Sequence, residues 1–184
     1  MARAFVGVGS NLDPAHNVPR ALAALAGKVR VRGISTFYRT PAEGRPEQPL
    51  FYNGVVEIAT ELAPAALKQV LRGIEQELGR QRTADKYAPR TIDLDLLLYD
   101  DLAGSQPGLT LPDPEIAARP FLAWPLAELD PGLVLPGTGT LVAQLARRLG
   151  RAEMEPLAEL TARLRRETGN EREESGTPGA ADAG

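Results

Sequence analysis

Asp93 and Asp95 stand two residues apart in Lys86-Tyr87-Ala88-Pro89-Arg90-Thr91-Ile92-Asp93-Leu94-Asp95-Leu96-Leu97-Leu98-Tyr99, where a cationic, proline-punctuated loop runs into an apolar segment. Side chains of an extended chain alternate faces, so this spacing puts both carboxylates on one side. Aspartate is depleted in strand interiors, and two on one face repel unless a cation or a donor separates them. Magnesium suits such a pair, because it takes one or two carboxylates and completes its shell with water and phosphate oxygens. Arg80, Arg82, Lys86 and Arg90 supply positive charge at the mouth of the strand. Carboxylates for a metal beside arginines for phosphate point to phosphoryl chemistry. The plainer readings are an edge strand with a solvated acidic face and a solvated run of charge. For the aspartates, Leu96-Leu97-Leu98 argues for a buried, central strand, where unpaired carboxylates are costly. For the arginines alone, the two readings stand level.

Other chemistries fall away. The chain has no cysteine and a single histidine, which excludes disulfides and thiolate metal sites and disfavours zinc. No Gly-x4-Gly-Lys-Ser/Thr loop is present. Gly7-x-Gly9 is followed by Leu12 where a dinucleotide-binding turn needs its third glycine. His16 lies early in a helix and reads as a surface or capping residue. A net charge of -3 and a pI near 5.3 argue against a nucleic-acid partner. No apolar run approaches the length of a membrane span. With 43% hydrophobic and 24% charged residues in 184, the composition is that of one globular domain, expected in the cytoplasm.

The elements that would hold these residues follow from periodicity. Ala2 to Val8 reads as a buried strand ending in Gly7-Val8-Gly9-Ser10-Asn11. Asp13 then caps a helix with Pro14 at its first position, running to about Gly27. Val29 to Tyr38 reads as one strand, with Gly33 at a bulge. Thr40 to Leu50, with three prolines, cannot be regular. Phe51 to Glu61 is a strand, and Pro64 starts an amphipathic helix that Gly79 stops. The basic loop and the Asp-x-Asp strand follow. Strand, helix, two strands, helix, strand is the ferredoxin-like order, an α+β two-layer sandwich with an antiparallel sheet and both helices on one side. Beyond it come a short extended piece at Leu109 to Pro114 and extra C-terminal helices at Ala118 to Leu129 and Leu141 to Leu149. Leu157 to Arg165 reads as an extension of the last. Residues 1–166 form the expected domain; 167–184, poor in large apolar residues, read as a disordered tail.

Several separated motifs together resemble one family. Lys86 to Leu97 is similar to the signature of 6-hydroxymethyl-7,8-dihydropterin pyrophosphokinases. So, in order and spacing, are Gly9-Ser10-Asn11-Leu12, Phe37-Tyr38-Arg39-Thr40-Pro41, Gln48-Pro49 with Asn53, and Arg119-x-Phe121 with Trp124-Pro125-Leu126. The resemblance covers roughly residues 2 to 136 and implies a ferredoxin-like fold. It implies ATP as co-substrate and two magnesium ions on Asp93 and Asp95. Arg82 and Arg90 become phosphate contacts, with Arg82 on a mobile loop where Tyr87 holds an aromatic place. Glu75 and Arg119 fall on the nucleotide side. Thr40, Pro41 and Asn53 meet the pterin edge, while Phe51 and Phe121 sandwich its ring. Two residues depart from the family: Asp113 follows Leu111-Pro112 where a histidine is usual, and Glu43 stands where the family tends to be apolar.

Two rivals remain at this level. A magnesium-dependent phosphodiesterase or nuclease would use the same strand but needs a basic groove. A ferredoxin-like RNA-binding module would need a Lys/Arg-Gly-Phe-type motif within its sheet, and none is present. Oligomeric state is open, and a monomer is compatible with everything above.

Overall fold

Ala4, Val6 and Val8 alternate with Phe5, Gly7 and Gly9 along β1 (Ala2–Ser10), the inner strand on which the sheet of this computed structural model is built. The structure describes residues 1–170; the tail expected from the sequence lies, from residue 171 on, outside them. After β1 come α1 (Pro14–Ala26), β2 (Arg30–Ile34), β3 (Tyr38–Thr40), β4 (Phe51–Thr60), α2 (Pro64–Glu77) and β5 (Asp93–Tyr99). A small hairpin, β6 (Gly104–Gln106) and β7 (Leu109–Leu111), leads to α3 (Pro120–Leu129), α4 (Val142–Leu149), β8 (Glu155–Pro156) and α5 (Ala158–Glu167). The main sheet runs β5-β1-β4-β3-β8, with β2 also on β4, and the pairings of β1, β2, β3 and β5 in it are antiparallel. This is the ferredoxin-like arrangement expected from the element order.

Each face of the sheet has its own cover. Val18, Leu22 and Leu25 of α1 and Leu67, Leu71 and Ile74 of α2 pack against Ala4, Val6 and Val8. On the opposite face Leu122, Ala123 and Leu126 of α3, with Val142 and Leu145 of α4, meet Phe5, Val55 and Leu97. The C-terminal helices thus add a layer outside the two-layer unit.

Four expectations change in detail. Asp13 does sit at the N-cap of α1, but with φ 43° and no side-chain capping bond. The expected strand over Val29 to Tyr38 is two strands. Its register shifts between Val31 and Gly33, as a bulge at Gly33 requires. It then breaks because Ser35 Oγ accepts from Val55 N–H (2.9 Å), while Thr36 and Phe37 donate their N–H groups to Glu128 and Thr161 side chains. Leu157 to Arg165 does not prolong α4: Gly150, at φ 76°, ends that helix, and β8 intervenes before α5 packs against α1 and β2. Finally, β5 is an edge strand and not a central one. Its leucines are buried because both faces are covered. Its outer backbone edge is also capped, by Glu75 accepting from Leu94 N–H (2.8 Å) and Asp113 N–H donating to Leu97 carbonyl (2.9 Å).

The close approach of Phe37 to β4 gives a first prediction. A Cβ on Gly54 would lie 2.6 Å from ring carbons of the fully buried Phe37. Neither strand nor ring can yield cheaply, so Gly54→Ala is expected to cost about 2–3 kcal/mol. Thermal unfolding should show a melting temperature lower by roughly 4–12 °C; an unchanged value would mean that the ring can move aside.

Candidate active site

The site is laid out by the register of three strands. Gly9 pairs with Asn53 on one flank and Asp93 on the other, and Gly7 pairs with Val55 and Asp95. Residues directly opposite in antiparallel strands share a face, so Asn53, Asp93 and Asp95 stand around a strip that carries no side chain. The strand expected over Ala2 to Val8 continues to Ser10 and uses both glycines as a floor. At Gly9 a Cβ would sit 2.7 Å from Asn53 Oδ1. Above this floor lies a cleft of about 550 Å3.

One wall is ionic. Asp93 accepts from Arg90 Nη1 (2.7 Å) and from Arg80 Nη1, and the latter also reaches Glu75 Oε1 (2.8 Å) and Ile92 carbonyl (3.2 Å). Arg82 Nη2 donates to Glu75 Oε2 (2.7 Å). Burial pushes the Asp93 carboxyl up, but the Arg80 and Arg90 guanidiniums outweigh it and hold it below the usual range. Glu75 is raised, chiefly by burial, against the pull of Leu94 N–H and the two arginines. Asp95 has no ion-pair partner among the described residues. Its side chain is exposed to the cleft, but desolvation by the protein around it, followed by the charges of Asp93, Asp113 and Glu75, pushes its carboxyl up to about 7.

This arrangement fits magnesium. No group of three or more protein ligands is assembled among the described residues. What the chain offers is two carboxylates on one face, one of them unpaired, and that is the incomplete set a magnesium ion completes with water and phosphate. A pH dependence follows from the raised Asp95. Metal binds the ionised carboxylate, so below about pH 7 it must displace a proton. Apparent affinity for magnesium with ATP is expected to rise with pH up to about 7 and then level off. Titration calorimetry in buffers of different ionisation enthalpy should show proton release near pH 6.5, absent in Asp95→Asn.

The other wall is aromatic and amide. Asn53 Nδ2 donates to Thr40 Oγ1 (2.9 Å), both residues nearly buried, and Phe51, Pro41 and Phe121 line the same cleft. Arg119 lies over the Phe121 ring (5.7 Å to its centroid) and is ion-paired to both Glu115 and Glu43. Glu43 therefore ties the 41–50 loop to the start of α3. Asp113 caps a 3-10 turn, Pro114–Ala117, by accepting from Glu115 N–H (2.9 Å), and it borders the cleft as well. A smaller cavity of about 370 Å3, with Lys68, Arg72, Leu109 and Thr110 on its walls, adjoins the cleft through Arg82, Asp95 and Asp113.

Nearly all the residues singled out from sequence meet in the cleft: Arg82, Arg90, Asp93, Asp95, Arg119, Pro41, Phe51, Asn53 and Phe121. Thr40 stands behind Asn53, and Glu75 lines neither cavity, being walled in by Arg80, Arg82 and β5. Two residues were given no role. Asn11, 1% exposed, accepts from Arg90 N–H (2.8 Å) and donates to Gln48 Oε1 (3.2 Å) and Pro49 carbonyl (3.4 Å). Gln48 Nε2 in turn donates to Tyr87 carbonyl (2.8 Å), so the 41–50 and 79–92 loops are stitched to each other and to the end of β1. The signal available in sequence was the polar Ser10-Asn11 pair at the end of an apolar strand.

Residues 5–131 match the family model described as 7,8-dihydro-6-hydroxymethylpterin-pyrophosphokinase (HPPK). A 2-amino-4-hydroxy-6-hydroxymethyldihydropteridine pyrophosphokinase of Synechocystis is 40% identical over 158 residues, 84% of this chain and 80% of the relative. That of Pseudomonas aeruginosa is 39% identical over 137 residues, 73% of this chain and 84% of the relative. Among solved structures, a triple mutant of Plasmodium falciparum HPPK-DHPS with pteroate superposes with a TM-score of 0.65 over 80% of this chain. Identity there is 11% and this chain spans 43% of that one, so the likeness concerns the fold.

Proposed function

The chain belongs to the 7,8-dihydro-6-hydroxymethylpterin-pyrophosphokinase family, and we propose that the cleft over Gly7 and Gly9 is where it carries out the family's reaction. It is an enzyme of folate biosynthesis that transfers diphosphate from ATP to the hydroxymethyl group of 6-hydroxymethyl-7,8-dihydropterin, releasing AMP. The observation that carries the site assignment is the row Asn53–Gly9–Asp93, which sets a ring-reading amide and a metal-binding carboxylate on one face across a bare floor.

In this reading Asn53, braced by Thr40, hydrogen-bonds the pterin edge, and Phe51 and Phe121 enclose the ring. An unfilled amide in such a pocket rejects rings that cannot pair with it. Asp93 and Asp95 would hold two magnesium ions, which would neutralise charge on the phosphates. Arg82, Arg90 and Arg119 supply the remaining positive charge, and Arg80 keeps Asp93 aimed. The pterin hydroxyl oxygen bonds to the β-phosphorus as the bond from that phosphorus to the oxygen of AMP breaks, the bonding pair leaving on AMP and the hydroxyl proton passing to water. Such transfers depend on positioning and charge neutralisation more than on covalent help from the protein. ATP supply and the absence of cysteine support a cytoplasmic setting. No helix among the described residues is long and apolar enough to cross a membrane. The test is a coupled assay for AMP with ATP, magnesium and the pterin; protein that binds the pterin and makes no AMP would overturn the assignment.

A further inference from the structure

Glu75 borders neither cavity, yet three donors converge on its 2%-exposed side chain. We propose that Glu75 is a positioning residue that holds Arg82 in reserve while no nucleotide is bound and releases it to the polyphosphate. The inference rests on the reading that Arg82 meets the phosphates of ATP.

The three donors differ in what they can give up. Leu94 N–H (2.8 Å) belongs to β5 and is fixed by the sheet. Arg80 Nη1 is shared among Glu75, Asp93 and Ile92 carbonyl, and its side chain is 11% exposed. Leaving Glu75 would pull it off a second carboxylate as well. Among the described residues Arg82 has a single partner, Glu75 Oε2 at 2.7 Å. Its side chain is 60% exposed and borders both cavities. It is the one donor that can swing to a ligand without breaking anything else. A buried carboxylate stripped of all donors is expensive, but Glu75 keeps two after Arg82 departs. The exchange therefore trades one charge-assisted bond for others, and Glu75 sets how readily the trade occurs. Until then the guanidinium is kept beside the site and out of the space the triphosphate needs.

A double-mutant cycle reads this directly. Calorimetry with magnesium and a non-hydrolysable ATP analogue is run on wild type, Glu75→Gln, Arg82→Ala and the double variant. Glu75→Gln keeps the shape of the side chain, and its amide oxygen still accepts from Leu94 N–H, so the cap on β5 survives the change. This variant is expected to tighten nucleotide binding about threefold to tenfold when Arg82 is present and to leave it unchanged when Arg82 is replaced by alanine. Equal shifts in both backgrounds, or weaker binding in Glu75→Gln, would overturn the role of Glu75. An Arg82→Ala protein with undiminished nucleotide affinity would instead overturn the phosphate reading of Arg82. Should Glu75→Gln fail to fold, wild-type protein supplies the answer by NMR. The Arg82 Nε–H resonance, identified by its loss in Arg82→Ala, should move on adding the analogue while that of Arg80 stays. Two resonances that both stay, or both move, would count against the proposal.

Discussion

Asp95→Ala is expected to lower kcat by about 1,000-fold or more while leaving the protein at least as stable as wild type. The loss follows from the proposed role of Asp95 as one of two carboxylates for magnesium, whose charge neutralisation in phosphoryl transfer is worth several kcal/mol. The stability follows from the isolation of Asp95. It has no ion-pair partner among the described residues, and although exposed to the cleft its carboxyl is pushed up to about 7 by desolvation and by Asp93, Asp113 and Glu75. A carboxyl whose folded-state pKa lies above its unfolded value holds its proton more tightly when folded. Ionising it then opposes folding, increasingly as pH rises from about 4 to about 7. Removing it relieves that opposition, so the melting temperature of Asp95→Ala relative to wild type should climb over this pH range. Steady-state kinetics with parallel thermal melts checks both halves. Near-normal turnover would remove the metal role, and a lower melting temperature at pH 8 would show that Asp95 supports the fold.

Arg90→Ala is expected to reduce kcat by about 100- to 1,000-fold, the range for removing a donor aimed at charge that develops in the transition state. Its backbone is clamped independently of its side chain: the carbonyl accepts from Asn11 and Leu12 N–H (3.2 Å each) and the N–H donates to Asn11 Oδ1 (2.8 Å). Truncation should therefore leave the backbone of residue 90 in place while removing the guanidinium, with its bonds to Asp93 and to the Lys86 and Ala88 carbonyls. Asp93 keeps Arg80, so no carboxylate is left without a partner. Arg90→Lys should recover little, because a point charge cannot reproduce a planar fork that serves Asp93 and a phosphate together. Single-turnover measurement of AMP formation separates the chemical step from binding. A variant with a raised KM and unchanged kcat would make Arg90 a simple nucleotide contact.

The βαββαβ order is legible because its cues are local: the apolar runs within Ala2–Ser10 and Phe51–Thr60, and Pro14 and Pro64 at the starts of two amphipathic helices. What stayed hidden depends on partners far along the chain. Leu96-Leu97-Leu98 looks central because burial on two faces reads the same in any strand; that the outer edge of β5 is closed by Glu75 and Asp113 is settled only when α2 and the segment after β7 arrive beside it. The arginines could be gathered from spacing but not apportioned. Their sharing between Asp93 and Glu75 arises where β5 meets the end of α2. Asn11 was quoted as part of a motif and given no task, because a polar residue after a strand looks like any turn until three separate segments close on it. Glu43, which departs from the family's preference, finds Arg119 in a distant segment for the same kind of reason.

The bare strip of Gly7 and Gly9 also makes the sheet a ruler. Asn53 and Asp93 are separated by one intervening strand, so their backbones stand two inter-strand spacings apart, about 9.5 Å. Hydrogen-bonded ladders cannot stretch or shrink this span as a loop could. On the proposed assignment, a heterocycle seated at Asn53 would be measured by length as well as by the pattern of its edge. A ring system one ring longer would overshoot the carboxylates, and one lacking the exocyclic carbon would fall short of them. Discrimination by reach is written into the strand order itself.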